Sequence, residues 1–374
     1  MSSSRPSIVP QHQHELVEPD VARAFTLPSR FYVDPSVLEK EKSAIFSRTW
    51  QIVGRRDQVA APGDYFTADL LGEPLLIARG QDGQLRGFFN ICRHRAGPPA
   101  DGCGNRKVFR CGYHGWTYSL DGRLLNAPEM DGTEDFHFED FGLHPVRTAE
   151  WGAWVFVNLD SNAEPLTSAL GELPGQSARY GLESLKLYER RDYFMECNWK
   201  VYIDNYLEGY HLPSVHPGLN RELDYGQYGT ETYARHSRQY SPIRGPENES
   251  TTNRRYSQAR GDDIADYFWI YPNWMLNCYP DNVSLNIVLP LAPEKTVAIF
   301  EWYFPENVIN TETPKQTVKF SDQIQIEDGH ICEVVHKNLK SQSYDRGRFS
   351  AKQERGVYHF HRLYAQEMEP AVTE

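Results

Sequence analysis

The sequence contains little cysteine and no long apolar run. Its six cysteines are spread over 374 residues, which is too sparse for the disulfide frameworks of small secreted proteins. No apolar stretch approaches the roughly 18 residues of a membrane-spanning helix, and the opening MSSSRPSIVPQHQHELVEPD lacks the apolar core of a signal peptide. These absences favour a cytoplasmic globular protein that does not enter a membrane.

Positive charge is scarce as well. Lysine and arginine number 39 against 51 acidic residues, a net charge of −12, so no basic surface for nucleic acid is indicated. No predicted strand is followed by the glycine-rich turn of a dinucleotide-binding fold. If the protein uses electrons from NAD(P)H, it therefore needs a separate reductase to deliver them.

The chain is long enough for two or three domains. We expect an N-terminal arm and helix over residues 1–45. Residues 46–163 alternate short β segments with Gly/Asp turns, which predicts a small all-β domain. Residues 164–374 mix helical patterns with longer strands, which predicts an α+β domain in which helices cover an antiparallel sheet.

Two closely spaced Cys/His pairs stand out in the all-β part. Cys92 and His94 form a Cys-x-His pair, and after sixteen intervening residues Cys111 and His114 form a Cys-x-x-His pair. Two thiolates and two imidazoles are the ligands of a Rieske-type [2Fe–2S] cluster. Structural zinc normally uses other spacings, so the pattern favours the iron–sulfur cluster. The alternative without metal is a pair of turn-rich hairpins with buried thiols.

A second candidate metal site lies in NWKVYIDNYLEGYHLPSVHPGL. Helical periodicity places Asp204, Glu208 and His211 on one face of a predicted helix. We expect Pro213 to end this helix, so that His216 can fold back toward His211. The same polar stripe is also typical of a solvated helix face.

The predicted helix near residues 314–341 carries an acidic residue within its apolar stripe. The stripe consists of Phe320, Ile324, Ile331, Val335 and Leu339. Asp328 completes the rhythm of this stripe, whereas Glu327 falls beside it. A buried carboxylate is costly unless it is paired or binds a metal. Two histidines and a carboxylate form the facial triad of non-haem Fe(II); a core aspartate held by Arg or Tyr is the alternative.

With these motifs the chain resembles the Rieske non-haem iron oxygenases. Their signatures are Cys-x-His followed by Cys-x-x-His, and a D-x-x-x-E/D-x-x-H-x-x-x-x-H segment with a later acidic residue. The resemblance runs from FYVDPSVLEKEKSAIFSRTWQIVGRRDQV to ERGVYHFHRLYAQ. DNYLEGYH and IQIEDGHICEVVHKNL are most similar to quaternary-ammonium oxygenases and demethylases of the choline monooxygenase type. The resemblance implies a Rieske domain followed by a helix-grip (START-like) catalytic domain, α+β overall.

The resemblance also implies roles for these residues. Cys92 and Cys111 would bind one iron of the cluster, and His94 and His114 the other. The implied ligands of a mononuclear Fe(II) are His211, His216 and Asp328. Glu208 matches the acidic residue that bridges this iron to a Rieske histidine of a neighbouring subunit, and Asp204 matches a nearby polar position.

The family implies an oxygenase that works with partners. Electrons pass from NAD(P)H through a separate reductase or ferredoxin, O2 is the co-substrate, and the subunits assemble as homotrimers. The expected reaction is hydroxylation or oxidative N-demethylation of a small quaternary ammonium compound such as choline or a betaine. The alternatives are an aromatic-ring dioxygenase α subunit, a Rieske electron carrier without an oxygenase centre, and a structural zinc protein.

Two aromatic clusters complete the sequence predictions. Tyr271 and Trp274 are candidate faces for a cationic substrate, with core packing as the alternative. His359 and His361 alternate with Phe360, which is typical of a half-buried strand or turn. We assign no functional role to these two histidines.

Overall fold

A computed structural model describes residues 16–244 and 264–372, without the side chains of residues 369–372. The first fifteen residues of the predicted arm lie outside the described residues. The arm leads into two short helices and a π-helical segment: α1 (Arg30–Val33), α2 (Pro35–Glu41) and Lys42–Phe46. The side chain of Asp34 caps α2, and Pro35 occupies its first turn. The predicted passage from helix to strand is confirmed.

The next part of the chain is built of short antiparallel strands. Its strands are β1 (Gln51–Arg55), β2 (Asp64–Leu70), β3 (Glu73–Arg79), β4 (Leu85–Phe89), β5 (Cys103–Asn105), β6 (Val108–Arg110), β7 (Thr117–Ser119), β8 (Leu124–Asn126), β9 (Pro145–Trp151) and β10 (Trp154–Asn158). One sheet has the order β1-β10-β9-β4-β3-β2-β5, and a small one has the order β6-β7-β8. Helical 3₁₀ turns occur at Arg56–Val59 and Phe138–Phe141.

The C-terminal part contains a long antiparallel sheet. Its strands are β11 (Lys186–Met195), β12 (Gly229–Thr232), β13 (His236–Pro242), β14 (Ile264–Ile270), β15 (Trp274–Tyr279), β16 (Asn282–Ala292) and β17 (Lys295–Phe304). Their order is β11-β17-β16-β15-β14-β13-β12. From β12 to β17, strands adjacent in sequence pair with each other, so this part of the sheet is an antiparallel meander. The last strand, β17, also pairs with the first one, β11.

Helices cover this sheet and connect to it. They are α3 (Leu166–Leu170), α4 (Leu173–Ser177), α5 (Trp199–Tyr206), α6 (Leu212–Val215), α7 (Pro217–Glu222), α8 (Thr313–Leu339) and α9 (Arg355–Val372), with 3₁₀ turns at Ala178–Tyr180, Leu182–Ser184 and Tyr225–Gln227. His359 and His361 therefore lie on a helix, and the predicted strand or turn is wrong. Alternation over three residues is too short to separate a strand from one turn of a helix.

The core explains how the parts are joined. Phe31 and Phe46 of the N-terminal segment are buried with Trp199 and Phe360 in one apolar cluster, so this segment packs against the C-terminal part of the chain. A second cluster joins Trp154 of the β-rich part to the face of the long sheet. The predicted fold class, α+β with an all-β N-terminal part and a helix-covered antiparallel sheet, is confirmed.

The helices have no membrane-spanning character. Across residues 16–244 and 264–372, no helix combines the length and the apolar composition that crossing a bilayer requires.

Candidate active site

Both Cys/His pairs sit on turns of the same construction. The amide of Cys92 donates to the carbonyl of Gly97 at 2.9 Å, and the amide of Cys111 donates to that of Trp116, also at 2.9 Å. In each turn the amide four residues after the cysteine donates back to the cysteine carbonyl at 3.0 Å. The residue at that fourth position has a positive φ, 57° in one turn and 75° in the other. Two matching turns thus present two matching Cys/His pairs.

The four side chains face each other with the thiols inside. Cys92 and Cys111 are 3% and 2% exposed, whereas His94 and His114 lie on the exposed surface. The two imidazole centres are 4.5 Å apart, and the His94 ring stacks on Trp116 at 4.9 Å. This arrangement fits a Rieske cluster whose cysteine-bound iron is shielded and whose histidine-bound iron is reachable from outside.

The surroundings of the thiols also fit a cluster. A Cβ on Gly97 would lie 3.0 Å from Cys111 Sγ, so the close approach of this backbone favours glycine. Burial raises the pKa of the Cys111 thiol, against the effect of the Tyr113 amide, and the adjacent Cys92 thiol raises it further. A bound metal is the usual means of holding such a pair as thiolates. The Tyr118 hydroxyl lies 3.1 Å from Cys92 Sγ.

The second cluster forms where α5 ends, earlier than predicted. The helix stops at Tyr206, so the prediction that Asp204, Glu208 and His211 share one helical face is wrong. The Glu208 carboxylate accepts a hydrogen bond from the His211 amide at 3.0 Å. This side-chain bond competes with continuation of the helix. A Cβ on Gly209 would also approach the Tyr228 ring to 2.8 Å.

Pro213 also acts differently from the prediction. It lies in the first turn of α6 instead of ending a helix, a position that tolerates its missing N–H. His216 follows at the junction of α6 and α7, with φ −119° and ψ 71°. The predicted return of His216 toward His211 nevertheless occurs, because the ring centres are 5.1 Å apart.

One carboxylate completes this cluster. One ligand atom from each of His211, His216 and Asp328 can be chosen so that all lie within 4.8 Å of one another. His216 Nε2 lies 2.9 Å from Asp328 Oδ1, and His211 Nε2 lies 3.7 Å from the same oxygen. Two imidazoles and a carboxylate at this separation fit a single Fe(II) ion with open coordination positions.

Each ligand is oriented by a further polar side chain. Glu208 Oε1 lies 2.6 Å from His211 Nδ1, and Glu327 Oε2 lies 2.7 Å from His216 Nδ1. Both rings thus direct Nε2 toward Asp328, as in other carboxylate–histidine–metal arrangements. The Asn205 amide donates to Asp328 Oδ1 at 2.6 Å.

The cluster is electrostatically prepared for a cation. Burial by itself lowers the pKa of His216, but hydrogen bonds and charges from Asp328 and Glu327 outweigh burial, and the net pKa is raised. These carboxylates stabilise positive charge at the imidazole. They would stabilise a metal ion beside it for the same reason.

The buried face of α8 differs from the predicted stripe. Its buried residues are Pro314, Thr317, Val318, Gln325, Cys332 and His336, while Val335 of the predicted stripe is 41% exposed. Asp328 is half-buried at the edge of this face and lines a cavity. Phe320 and Ile324 of the predicted stripe line the same cavity, which agrees with the predicted alignment of Asp328 with them. Glu327, set aside as lying off the stripe, in fact contacts His216.

Asp204 points away from the three ligand atoms. Its carboxylate accepts from the Tyr32 hydroxyl at 2.7 Å and lies 2.9 Å from His361 Nε2. The Leu27 amide donates to His361 Nδ1 at 3.1 Å, so Nε2 carries the proton that Asp204 accepts. Asp204 therefore ties the N-terminal segment and α9 to α5, and a catalytic role for Asp204 stays a prediction.

The cavity beside the metal cluster is aromatic and, apart from Glu208 and Asp328 at the cluster itself, lined by neutral polar groups. Its aromatic lining includes Tyr202, Tyr206, Tyr228, Tyr267, Tyr279, Phe300, Trp302 and Phe320. Its neutral polar lining includes Asn205, Gln239, Asn277, Asn282, Ser284, Asn286, Thr317, Ser321 and Gln325. Within the described parts of the chain, no lysine or arginine lines it.

Tyr271 and Trp274 do not line this cavity. They contribute to another one, together with Arg48 and Arg235. Trp274 is 1% exposed and packs on Phe156 with ring centres 5.5 Å apart. The structure thus favours the alternative of core packing for Trp274, and neither residue is placed to face a substrate in the cavity beside the metal cluster.

Comparison with known proteins identifies the family. Residues 49–137 match the model of the Rieske [2Fe-2S] domain, and residues 182–370 match that of the ring hydroxylating alpha subunit (catalytic domain). The chain belongs to the Rieske non-haem iron oxygenases. This membership removes the alternatives of a structural zinc protein and a bare electron carrier.

Several oxygenases of this family are similar over most of the chain. Choline monooxygenase, chloroplastic, of Arabidopsis thaliana is 36% identical over 91% of this chain and 82% of its own length. The carnitine monooxygenase oxygenase subunit of Escherichia coli K12 is 33% identical over 92% and 94%. A solved quaternary ammonium Rieske monooxygenase has a TM-score of 0.82 at 31% identity, covering 92% and 95%. Naphthalene 1,2-dioxygenase from Rhodococcus sp., at 20% identity and a TM-score of 0.75, shares the fold.

Family membership defines the cofactors of this oxygenase. They are a Rieske [2Fe–2S] cluster and a mononuclear iron that works with O2, and electrons come from a separate reductase. The described residues provide a fitting donor set for each metal centre, as shown by the buried thiols beside exposed imidazoles and by the triad around Asp328.

Helical and strand periodicity could not reveal Glu327 or Asn205, because their contacts depend on how α5 and α8 pack.

Proposed function

We propose that this chain is the terminal oxygenase of a system that hydroxylates or oxidatively N-demethylates a small quaternary ammonium compound. The observation that carries the proposal is the cavity beside His211, His216 and Asp328. Its tyrosine, phenylalanine and tryptophan side chains offer faces that attract a quaternary ammonium ion. No lysine or arginine repels the ion from the described lining, and two carboxylates, Glu208 and Asp328, add attraction.

The proposed metal ligands divide between two centres. Cys92, His94, Cys111 and His114 would hold the [2Fe–2S] cluster, and His211, His216 and Asp328 the mononuclear iron. When bound, that iron activates dioxygen for attack on a C–H bond. The aromatic walls of the cavity would hold the cationic substrate near the iron and exclude water.

We further propose that subunits cooperate in a homotrimer and that Glu208 links them. Glu208 and His211 line not only the aromatic cavity but also a second pocket, together with Asp204, Glu354 and His361. The imidazoles of His94 and His114 are exposed, and such polar rings suit the carboxylate-lined pocket of another copy. A cytoplasmic location and NAD(P)H as the electron source of the reductase belong to the same proposal.

Substrate conversion tests the reaction directly. The iron-loaded protein, a surrogate reductase and NAD(P)H are incubated with choline, carnitine, γ-butyrobetaine and naphthalene. We expect aldehyde or formaldehyde from at least one quaternary ammonium compound and no diol from naphthalene. A naphthalene diol with no conversion of any ammonium compound would instead establish ring dihydroxylation.

The variant Glu208→Gln tests the link between subunits. With iron supplied in saturating excess we expect both metal centres to remain bound, while coupled turnover falls by about 10- to 100-fold because the negative charge beside His211 is lost. Glu354→Gln is the matched control, since Glu354 lines the same pocket but accepts its hydrogen bond from the Ser350 amide. Wild-type turnover in the Glu208 variant would remove the proposed relay.

A further inference from the structure

The cavity contains a group of buried polar atoms that none of the roles above uses. Asn286 on β16, Trp302 on β17 and Thr317 near the start of α8 are 2%, 1% and 3% exposed, and all of them line the cavity. Within the described residues, Asn286 Oδ1, Trp302 Nε1 and Thr317 Oγ1 have no hydrogen-bond partner. We call these three residues the polar floor.

Strand register places two members of the polar floor side by side. Asn286 pairs with Phe300, and Ser284 pairs with Trp302. Asn286 and Trp302 are therefore diagonal neighbours on one face of the sheet, close enough to contact the same small group. Thr317 comes from the helix that covers this face and lines the same cavity.

Buried polar atoms without partners point to a ligand that supplies them. Native proteins pair the great majority of such atoms, because an unpaired one costs free energy. Other polar residues of the cavity are already paired: Tyr206 donates to Asn277 Oδ1 at 2.7 Å, and Asn277 donates to Ser284 at 3.0 Å. The unpaired atoms are thus a distinct feature of the polar floor within the lining.

The atoms of the polar floor define which chemical group they can bind. The indole N–H of Trp302 can only donate, Asn286 Oδ1 can only accept, and the Thr317 hydroxyl can do both. A hydroxyl group satisfies this set, because it accepts from the indole and donates to the amide oxygen. A carboxylate only accepts, so it would leave Asn286 Oδ1 unpaired.

Positive charge for a carboxylate is also missing from the described lining. Arg191 comes within 5.9 Å of the Trp302 ring centre. However, its guanidinium already binds Glu189 at 2.6 Å and Asp322 at 2.8 Å. Its charge is therefore balanced by two carboxylates and is not available to compensate a buried anion.

We propose that the polar floor binds a hydroxyl group of the substrate and makes the enzyme selective for quaternary ammonium alcohols. This inference rests on the proposed function and adds to it which second group the substrate carries. Asn286, Trp302 and Thr317 are then specificity-determining residues, while the aromatic walls recognise the ammonium group that all these compounds share.

Matched ligand pairs test the polar floor. The holoenzyme is offered choline and its three- and four-carbon homologues, each beside the alkyltrimethylammonium ion of equal length without the hydroxyl. Affinity is measured by calorimetry and kcat/KM by product formation. For the best alcohol we expect tighter binding than for its alkyl partner, by about three- to tenfold for one or two neutral hydrogen bonds.

The variant Thr317→Val keeps the shape of the side chain and removes the hydroxyl, and Trp302→Phe keeps an aromatic ring and removes the indole N–H. We expect each to weaken binding of the best alcohol by about three- to tenfold and to leave its alkyl partner within about twofold. Trp269→Phe is the control, because Trp269 is fully buried but donates to the Pro272 carbonyl at 3.2 Å outside this cavity. Trp269→Phe should leave the affinity for both the alcohol and its alkyl partner unchanged.

The outcomes separate this inference from the proposed function. Conversion of alcohol and alkyl ions with equal efficiency, or equal losses for both in Trp302→Phe, overturns the polar floor and leaves the quaternary ammonium oxygenase intact. Tighter binding of γ-butyrobetaine than of every alcohol also overturns it, because the preferred group is then a carboxylate. Failure to bind or convert any quaternary ammonium ion overturns both proposals.

Discussion

At the scale of single residues, two glutamates determine how the metal cluster is presented. Glu208 and Glu327 each accept the Nδ1 proton of one histidine, at 2.6 and 2.7 Å. This fixes the tautomer, so that both Nε2 lone pairs are free for a metal. Glu327 comes from the same helix as Asp328, so α8 supplies one ligand and also orients another.

Replacing Glu327 should weaken the mononuclear site selectively. In Glu327→Gln we expect iron affinity to fall by about tenfold or more, because the orienting negative charge is lost. The visible spectrum of the [2Fe–2S] cluster should stay unchanged. Iron content after dialysis against a graded chelator measures the effect. Glu333→Gln, on the same helix but bonded to the Glu196 amide, should behave like wild type; equal iron retention in both variants would contradict the prediction.

A buried histidine should make the fold sensitive to acid. Burial lowers the pKa of His236 to about 4, compared with about 6.5 in an unfolded chain. As pH falls through this window, the unfolded chain takes up a proton before the folded one does, so stability falls. The loss from pH 7 to pH 4 is on the order of 2–3 kcal/mol.

Urea unfolding at several pH values measures this dependence. His236→Gln removes the titrating group, so its stability should decline less between pH 7 and pH 4 than that of wild type. His144→Gln changes an exposed histidine and should leave the decline unaltered. An equal decline in stability between pH 7 and pH 4 in wild type and His236→Gln would show that His236 does not cause the acid sensitivity.

At the scale of helices and strands, periodicity predicted which elements exist better than where they end. The long helix of residues 313–339 and the strands of the two seven-stranded sheets follow from apolar patterns and turn residues. The early end of α5 does not, because it depends on the contact of Gly209 with Tyr228 and on the Glu208 side chain. Tertiary contacts of this kind leave no periodic signal in the sequence.

The same limit applies to the site. The spacing of Cys92, His94, Cys111 and His114 is local and could be read directly, and each pair sits on its own closed turn. Asp328 meets His216 across more than a hundred residues, at 2.9 Å. Glu327 lies beside the apolar stripe and was missed, because its contact with His216 depends on the elements packed around α8.

A buried ion pair joins the N-terminal helix α2 to α5. Lys200 Nζ lies 2.5 Å from Glu41 Oε1, and both side chains are fully buried. Glu41 also accepts from the Trp199 indole at 2.8 Å and the Tyr364 hydroxyl at 2.7 Å. Glu41 is thus a common acceptor for α2, α5 and α9, and its charge depends on Lys200.

Breaking this pair on one side should destabilise the protein strongly. Lys200→Met leaves the Glu41 carboxylate buried without a counter-charge, at a cost of about 3–5 kcal/mol in the free energy of unfolding. The double variant Glu41→Gln with Lys200→Met has no buried charge and retains an acceptor for Trp199. We therefore expect it to be more stable than Lys200→Met in urea unfolding. A double variant that is less stable than the single one would show that the charge is not the cause.

At the scale of the whole molecule, the two metal sites open in complementary ways. The Rieske imidazoles His94 and His114 are exposed, and Glu208 and His211 are reached from a pocket beside Glu354. Because each chain has an exposed electron donor and an accessible acceptor, the donor of one copy can lie beside the acceptor of another. A heterologous interface of this kind closes into a ring when the rotation permits.

Mixed assemblies test whether electrons cross between subunits. His114→Ala removes a cluster ligand and keeps the triad, whereas His211→Ala removes a triad ligand and keeps the cluster; each variant alone should be inactive. Co-expressed in equal amounts as random trimers, they should regain about a quarter of wild-type activity, because about three quarters of such trimers are mixed and each contains one productive interface of three. The same variants purified separately and mixed without subunit exchange should stay inactive. If electrons pass within one chain, every subunit of the mixed trimers lacks one of the two centres, and co-expression restores nothing.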